Sequence, residues 1–236
     1  MTIGPLSLPA PCYLIQTADG TNVLIDSGLP HGRPAARGEG VEEAQVDSLG
    51  RGLVIAHGTD VIGQLAAIGV RPADIDLLIC THYDDDHAGN IGAFPNARLI
   101  VQRRQHDAAR AGDPRFARTR PQWDQPAARY WVVDGDTEVL PGIELIETSG
   151  HVPGHQAVLV ELPETGPVLL AIDAVAVRAH FAADRPVGPT DADGAGALAS
   201  TRKLLELVER RHIALVVFGH DGPQWSTLKH LPDFYA

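Results

Sequence analysis

The run Thr81-His82-Tyr83-Asp84-Asp85-Asp86-His87 constrains this chain most, because it sets two imidazoles and three carboxylates side by side directly after an apolar segment. Ile75-Asp76-Leu77-Leu78-Ile79-Cys80 reads as a short buried strand, so the cluster falls where a strand ends and a loop opens toward a cleft. Donors packed this closely repel one another, or leave buried polar groups unpaired, unless divalent cations neutralise them. Asp84-Asp85-Asp86 alone would read as a solvated acidic turn. The flanking His82 and His87 turn the reading toward metal.

Three more segments share this grammar, an apolar strand ending in a loop that bears His or Asp. They are Thr148-Ser149-Gly150-His151, Leu170-Ala171-Ile172-Asp173 and Val217-Phe218-Gly219-His220. Each alone is weak: a lone His after a strand is more often a surface residue, and Asp173 would serve as a helix cap. Strand ends distant in sequence converge on one cleft in layered α/β folds, and together with the acidic His cluster the four segments call for metal.

The rest of the chain supplies a scaffold for such a cleft. Tyr13 to Thr17 and Asn22 to Asp26 flank a Gly-containing turn and read as a hairpin, after which Leu29 to Asp47 looks like a long irregular loop, a candidate lid. A helix is expected over Thr59 to Ile68, a strand over Arg98 to Val101 and a short helix over Gln105 to Ala111. Strands follow at 144–148, 157–161 and 168–172, then a helix over Ala195 to Arg211 and a last strand over Ala214 to Phe218. Two sheet-plus-helix halves predict an α/β fold, a four-layer αββα sandwich, and 236 residues without a composition break predict one domain over 1–236.

Composition narrows the partners. A net charge of −11 argues against a nucleic-acid binder, which needs clustered Lys and Arg. No apolar run approaches the roughly 20 residues of a membrane span, and Met1 to Leu8 carries no secretion pattern, so a cytoplasmic protein is expected. Cys12 and Cys80 stand alone in apolar surroundings and read as inert buried thiols, although Cys80 lies close enough to His82 for a nucleophilic role to be weighed.

These residues carry a resemblance. The chain resembles the metallo-β-lactamase superfamily, and within it the N-acyl-homoserine lactonases of quorum quenching: His82-Tyr83-Asp84-Asp85-Asp86-His87 matches the signature His-x-His-x-Asp-His except at Asp84. Asp26-Ser27-Gly28, Gly150-His151-Val152-Pro153-Gly154-His155, Asp173, Gly219-His220-Asp221 and the opening Cys12-Tyr13-Leu14 also match, over nearly the whole chain. The resemblance implies two divalent metal ions, zinc expected and iron or manganese admitted. His82, Asp84 and His151 would serve one ion and Asp86, His87 and His220 the other, with Asp173 between them. It implies attack on a lactone or related ester by a water bridging the ions, with Asp86 shuttling a proton. His155 and Asp26 would support the ligands. Asp84 stands where the family has His, a harder ligand that moves preference toward iron or manganese, or one too short to reach its metal. Ala176 stands where the lactonases carry a tyrosine.

Rival readings keep the metals: hydrolysis of a phosphodiester, thioester or other ester, or an iron-dependent redox enzyme resembling the flavodiiron proteins. A phosphoryl substrate would draw on Arg103, Arg104, Arg115, Arg118 and Arg120, which otherwise read as a solvated or partner-facing run. Phe116, Trp123, Tyr130 and Trp131 are read as lining an acyl-chain pocket, forming a homodimer contact or packing in the core, and core packing is the expectation for Trp131. His31, His57, His106, His180, His212 and His230 belong to no motif.

Overall fold

Alternating apolar residues on each central strand give both sheets two buried faces, and that requirement organises the molecule. The computed structural model describes residues 8–30, 45–46, 52–53 and 60–236. Strands β1 (Tyr13–Gln16) and β2 (Asn22–Ile25) form the expected hairpin, in register Tyr13 to Ile25. The expected loop over Leu29 to Asp47 lies largely outside the described residues, apart from β3 (Gln45–Val46), which pairs with β4 (Gly52–Leu53). Helix α1 (Val61–Ala67) is capped by Asp60, whose side chain accepts from the Gly63 N–H. Then come β5 (Leu77–Ile79), β6 (Arg98–Gln102), α2 (Arg103–Arg110), α3 (Arg120–Trp123) and β7 (Tyr130–Val133). The first sheet has the order β1-β2-β5-β6-β7, parallel from β2 onward.

The second sheet, β12-β11-β10-β9-β8, is built from β8 (Thr137–Leu140), β9 (Ile143–Glu147), β10 (Gln156–Leu162), β11 (Gly166–Ile172) and β12 (Leu215–Phe218). Helix α4 (Gly194–Arg211) precedes β12, and α5 (Gly222–Trp225) follows it. β7 and β8 went unread in the sequence. β7 follows a Pro- and Arg-rich stretch that masks its start, and β8 is a half-exposed edge strand with one buried side chain.

Three apolar clusters separate four layers, as the αββα expectation requires. Leu24, Leu78, Leu99 and Val101 face α1 and α2, where they meet Leu65 and Ala109. The alternate residues Val23, Ile25, Ile79 and Ile100 face the second sheet and pack on Val158, Val160, Leu170 and Val217. On the far side of that sheet Leu159, Leu169 and Ala171 meet Leu204 and Leu207 of α4. Burying each such side chain contributes about 1.5–3 kcal/mol. The four-layer αββα architecture anticipated from the sequence is therefore the one observed. No helix among the described residues is long and apolar enough to cross a membrane.

This topology points the functional loops one way. β2 and β5 are parallel neighbours, and β11 runs parallel to β12. β9 shares that direction because β10 pairs antiparallel with both β9 and β11. Asp26, His82, His151, Asp173 and His220 thus all follow the C-terminal ends of strands, where α/β folds place their sites.

Candidate metal centre

Six of the seven candidate ligands surround Asp173, whose carboxylate reaches the Nε2 of all four candidate histidines, with His220 Nε2 near both oxygens, 3.0 Å from Oδ1 and 3.2 Å from Oδ2. Oδ2 lies 3.3 Å from His151 Nε2 and 4.0 Å from His82 Nε2. Oδ1 lies 3.5 Å from His87 Nε2 and 3.0 Å from His220 Nε2. On the first side, Asp84 Oδ2 is 3.2 Å from His151 Nε2 and 3.6 Å from His82 Nε2. On the second, Asp86 Oδ2 is 3.6 Å from both His87 Nε2 and His220 Nε2. A tetrahedral ion with ligand arms of about 2.0–2.2 Å has edges of about 3.3–3.6 Å, close to these separations. Donors of three trios, His82/Asp84/His151, His82/His87/Asp173 and Asp86/His87/His220, lie within 4.8 Å of one another.

The donor atoms also fit a cation in what they lack. His82 Nε2, His87 Nε2 and Asp173 Oδ1 are buried and make no hydrogen bond. Unsatisfied polar atoms at such depth are rare and costly, and three converging on one point call for a cation.

The outer nitrogens are held from behind, which aims each Nε2 inward. His87 Nδ1 donates to Asp26 Oδ2 at 2.8 Å. Thr81 donates its hydroxyl to the same oxygen at 2.7 Å and accepts from His82 Nδ1 at 3.0 Å, so Asp26 orients both rings. Its Oδ1 accepts the Thr81 N–H at 2.8 Å, and its backbone adopts φ 59°. His220 Nδ1 donates to the Pro9 carbonyl at 2.6 Å. His151 Nδ1 faces Asp191 at 3.6 Å, and Asp191 is paired in turn with buried Arg185 at 3.2 Å.

His155, expected to support rather than ligate, is buried with Nδ1 on the Thr148 hydroxyl at 2.8 Å. Its Nε2 accepts the Asp173 N–H at 3.2 Å and so anchors that residue's backbone. This anchor sits beside a strained link, since Ile172 has φ 50°, a costly conformation for a β-branched residue. Gly219 completes the surroundings of Asp173: a Cβ there would stand 2.7 Å from Asp173 Oδ1.

The charges respond to this crowding. Burial drives the His87 ring toward neutrality, but Asp86, Asp173 and Asp26 outweigh it and raise its pKa well above the usual value. Burial likewise opposes charge on Asp173, and His220, His87 and His151 overcome it to hold the carboxyl well below the ordinary range. His151 and His220 are each pushed up to about 9, burial being outweighed by Asp191, Asp84 and Asp173 for the first and by Asp173 and Asp86 for the second. His82 and His155 go the other way, lowered by burial and by neighbouring imidazoles.

One expectation needs correction, and one open reading resolves. Arg115 is neither solvated nor partner-facing: its Nε and Nη2 grip the Asp84 oxygens at 2.8 and 2.5 Å, and Nη2 also reaches His151 Nε2 at 3.0 Å. A proline- and arginine-rich run offered no sign of this, because the contact spans chain segments far apart in sequence. Of the readings open for Phe116 and Trp123, core packing is the one observed. Both are buried against Tyr83, with Trp123 stacked on it at 5.6 Å between ring centres and Phe116 edge-on at 6.1 Å, so they support the ligand loop from below. Trp131 packs against the inter-sheet core as expected. Cys80 is buried and its thiol pushed up by that burial, which removes it as a nucleophile. Asp191, Thr148 and Pro9 were not anticipated. Asp191 and Pro9 lie in polar or irregular stretches with no spacing signal, Thr148 was read only as the end of the strand leading to His151, and only the folded chain brings the first two behind candidate ligands and Thr148 behind His155.

The family model of the metallo-beta-lactamase superfamily matches residues 7–220. The chain belongs to the metallo-beta-lactamase superfamily. It is 35% identical over 232 residues to an N-acyl homoserine lactonase of a Bacillus species, a match covering 97% of this chain and 88% of that protein. It is 37% identical over 183 residues to the N-acyl homoserine lactonase AttM of Azorhizobium caulinodans, covering 74% and 68% of the two chains. A solved N-acyl homoserine lactone hydrolase, with the product N-hexanoyl-L-homoserine bound at its catalytic metal centre, superposes with a TM-score of 0.83 at 32% identity, covering 100% of this chain and 90% of that one.

Proposed function

We propose that this superfamily member is a metal-dependent hydrolase that opens lactones of the N-acyl-homoserine type. The observation that carries the reading is Asp173, one buried carboxylate lying within 4.0 Å of the Nε2 atoms of His82, His87, His151 and His220. The similarity to N-acyl homoserine lactonases supplies the substrate class. His82, Asp84 and His151 would hold one ion and Asp86, His87 and His220 the other, with Asp173 between them. Two such ions supply Lewis acidity for a carbonyl oxygen and acidify a water near neutral pH.

The chain's own residues do the rest. Asp26, Thr81 and the Pro9 carbonyl keep three imidazoles aimed inward, and the His155 anchor on the Asp173 N–H holds the bridge in place. Asp86, with a side chain 30% exposed, is the most open of the ligands and the group placed to pass a proton to the leaving ring oxygen. Ala176 offers no phenol; its carbonyl accepts the His220 N–H at 2.7 Å and so serves the ligand loop instead.

A carboxylic ester is favoured over a phosphodiester because the five arginines named above as phosphate clamps are engaged. Arg103 pairs with Asp134, Arg104 with Glu147, Arg115 with Asp84, Arg118 with Asp85 and Arg120 with Asp124. The test is elemental analysis of the purified protein paired with a pH-indicator assay of lactone opening. Bound metal together with turnover of an N-acyl homoserine lactone supports the reading. Metal-loaded protein that leaves the ring closed but cleaves a phosphodiester would overturn the substrate assignment, and iron without hydrolysis would favour redox chemistry.

A further inference from the structure

The two ligand groups differ in one respect that no ligand count reveals: the first already holds a cation of the protein's own. Arg115 grips Asp84 through both oxygens, and its Nη2 lies 3.0 Å from His151 Nε2, the atom through which His151 would bind an ion. The guanidinium therefore stands at hydrogen-bond distance from two of the three donors in the His82/Asp84/His151 trio. Its remaining donor nitrogen is also spent: Nη1 donates to the carbonyls of His151 at 3.2 Å and Thr190 at 2.6 Å. The group is thus fastened to three separate segments rather than swinging in solvent, and its side chain is only 27% exposed. Nothing comparable touches Asp86, His87 or His220: among the described residues no Arg or Lys pairs with them.

We propose that Arg115 is an internal competitor for the first metal, so that the two ions bind with unequal affinity and the first loads only as the guanidinium leaves Asp84 and His151. The inference rests on the metal-centre reading above and adds to it a reason for asymmetry within this chain. A bidentate guanidinium–carboxylate pair is among the strongest ionic contacts a protein makes, and Arg stays charged at any ordinary pH. An incoming dication must break that pair and then sit beside a displaced positive charge. Asp84 is what makes the competition possible. An imidazole at this position would offer Arg115 no carboxylate, whereas a carboxylate buried without metal needs a counter-charge.

The test is equilibrium zinc titration of the metal-stripped protein against a chromophoric chelator, for the wild type, Arg115→Met and Arg115→Lys, with circular dichroism to confirm folding. The wild type is expected to take two equivalents, the second bound about 10-fold or more weaker than the first. Arg115→Met, which keeps the length and removes the charge, should tighten the weak equivalent by about 10-fold, while Arg115→Lys, which keeps the charge, should leave the two sites unequal. Two equivalents of equal affinity in the wild type would overturn the proposal, even if Arg115→Met fails to fold. So would a gap that persists in Arg115→Met. A wild type that binds no zinc would overturn the metal-centre reading and this inference together, an outcome distinct from two equal sites.

Discussion

The two halves of the candidate metal centre set out similar donors under opposite conditions. Around Asp86, His87 and His220, outer nitrogens are pinned by Asp26 and the Pro9 carbonyl, and the inner donors meet no competing cation among the described residues. Around His82, Asp84 and His151, the carboxylate that replaces an imidazole is neutralised by Arg115, and His151 is steadied by the longer ion pair to Asp191. The lesson is that changing a ligand from imidazole to carboxylate is not a local event. A buried negative charge recruits a partner, here the guanidinium of Arg115.

The comparison can be broken most severely at the second group. His87→Ala should remove the metal and the lactonase activity together, measured as metal equivalents and turnover on the same sample. Asp26→Asn comes next. It removes the acceptor that orients His87 directly and His82 through Thr81, and should lower metal affinity or activity about 10- to 100-fold, read by zinc titration and initial rates. Because Asp26 braces a ring from each trio, both equivalents should weaken, and loss confined to one would show the halves to be independent.

Asp84→His sharpens the contrast from the other side. It removes the carboxylate that Arg115 holds and should keep or raise zinc content by elemental analysis; a fall would mean the guanidinium still blocks the site. The smallest expected effect is a pH dependence. In metal-free protein His151 and His220 are raised to about 9, above the ordinary His value near 6.5. Both folded and unfolded chains are protonated below 6.5, so their stabilisation is full there and is lost as pH rises through 9. The melting temperature of stripped protein should therefore fall between pH 7 and 9, while metal-loaded protein, whose rings are already deprotonated, should lack that fall in a calorimetric scan.

Much of this centre was legible in the chain. Apolar runs ending in His or Asp identified the strand ends at His82, His151, Asp173 and His220, because a strand buried on both faces must be apolar throughout and a polar donor marks its exit. Helix α4 was read almost to the residue in its bounds from Leu198, Leu204, Leu205 and Val208, although the side it buries is centred on Ala197, Leu204 and Leu207, with Leu198, Leu205 and Val208 only partly covered. The misses share a cause. β8 is too short and exposed to show alternation, and the short helical turns between Pro114 and Arg129 follow proline and local capping rather than a repeat.

Composition, periodicity and motif spacing by themselves determined the layered fold, the strand-end His and Asp residues that are candidate ligands and the direction in which their loops face. These follow from local rules, since burial pattern sets strands and the repeated strand-to-loop grammar sets which residues leave them. Only the tertiary structure decided that Arg115 faces inward onto Asp84, that Phe116 and Trp123 lie beneath Tyr83, and that Pro9 and Asp191 stand behind two imidazoles. Each of those contacts joins segments far apart along the chain through a single side chain or carbonyl. Such a contact has no period and no spacing, and exists only once three layers of packing bring the segments together.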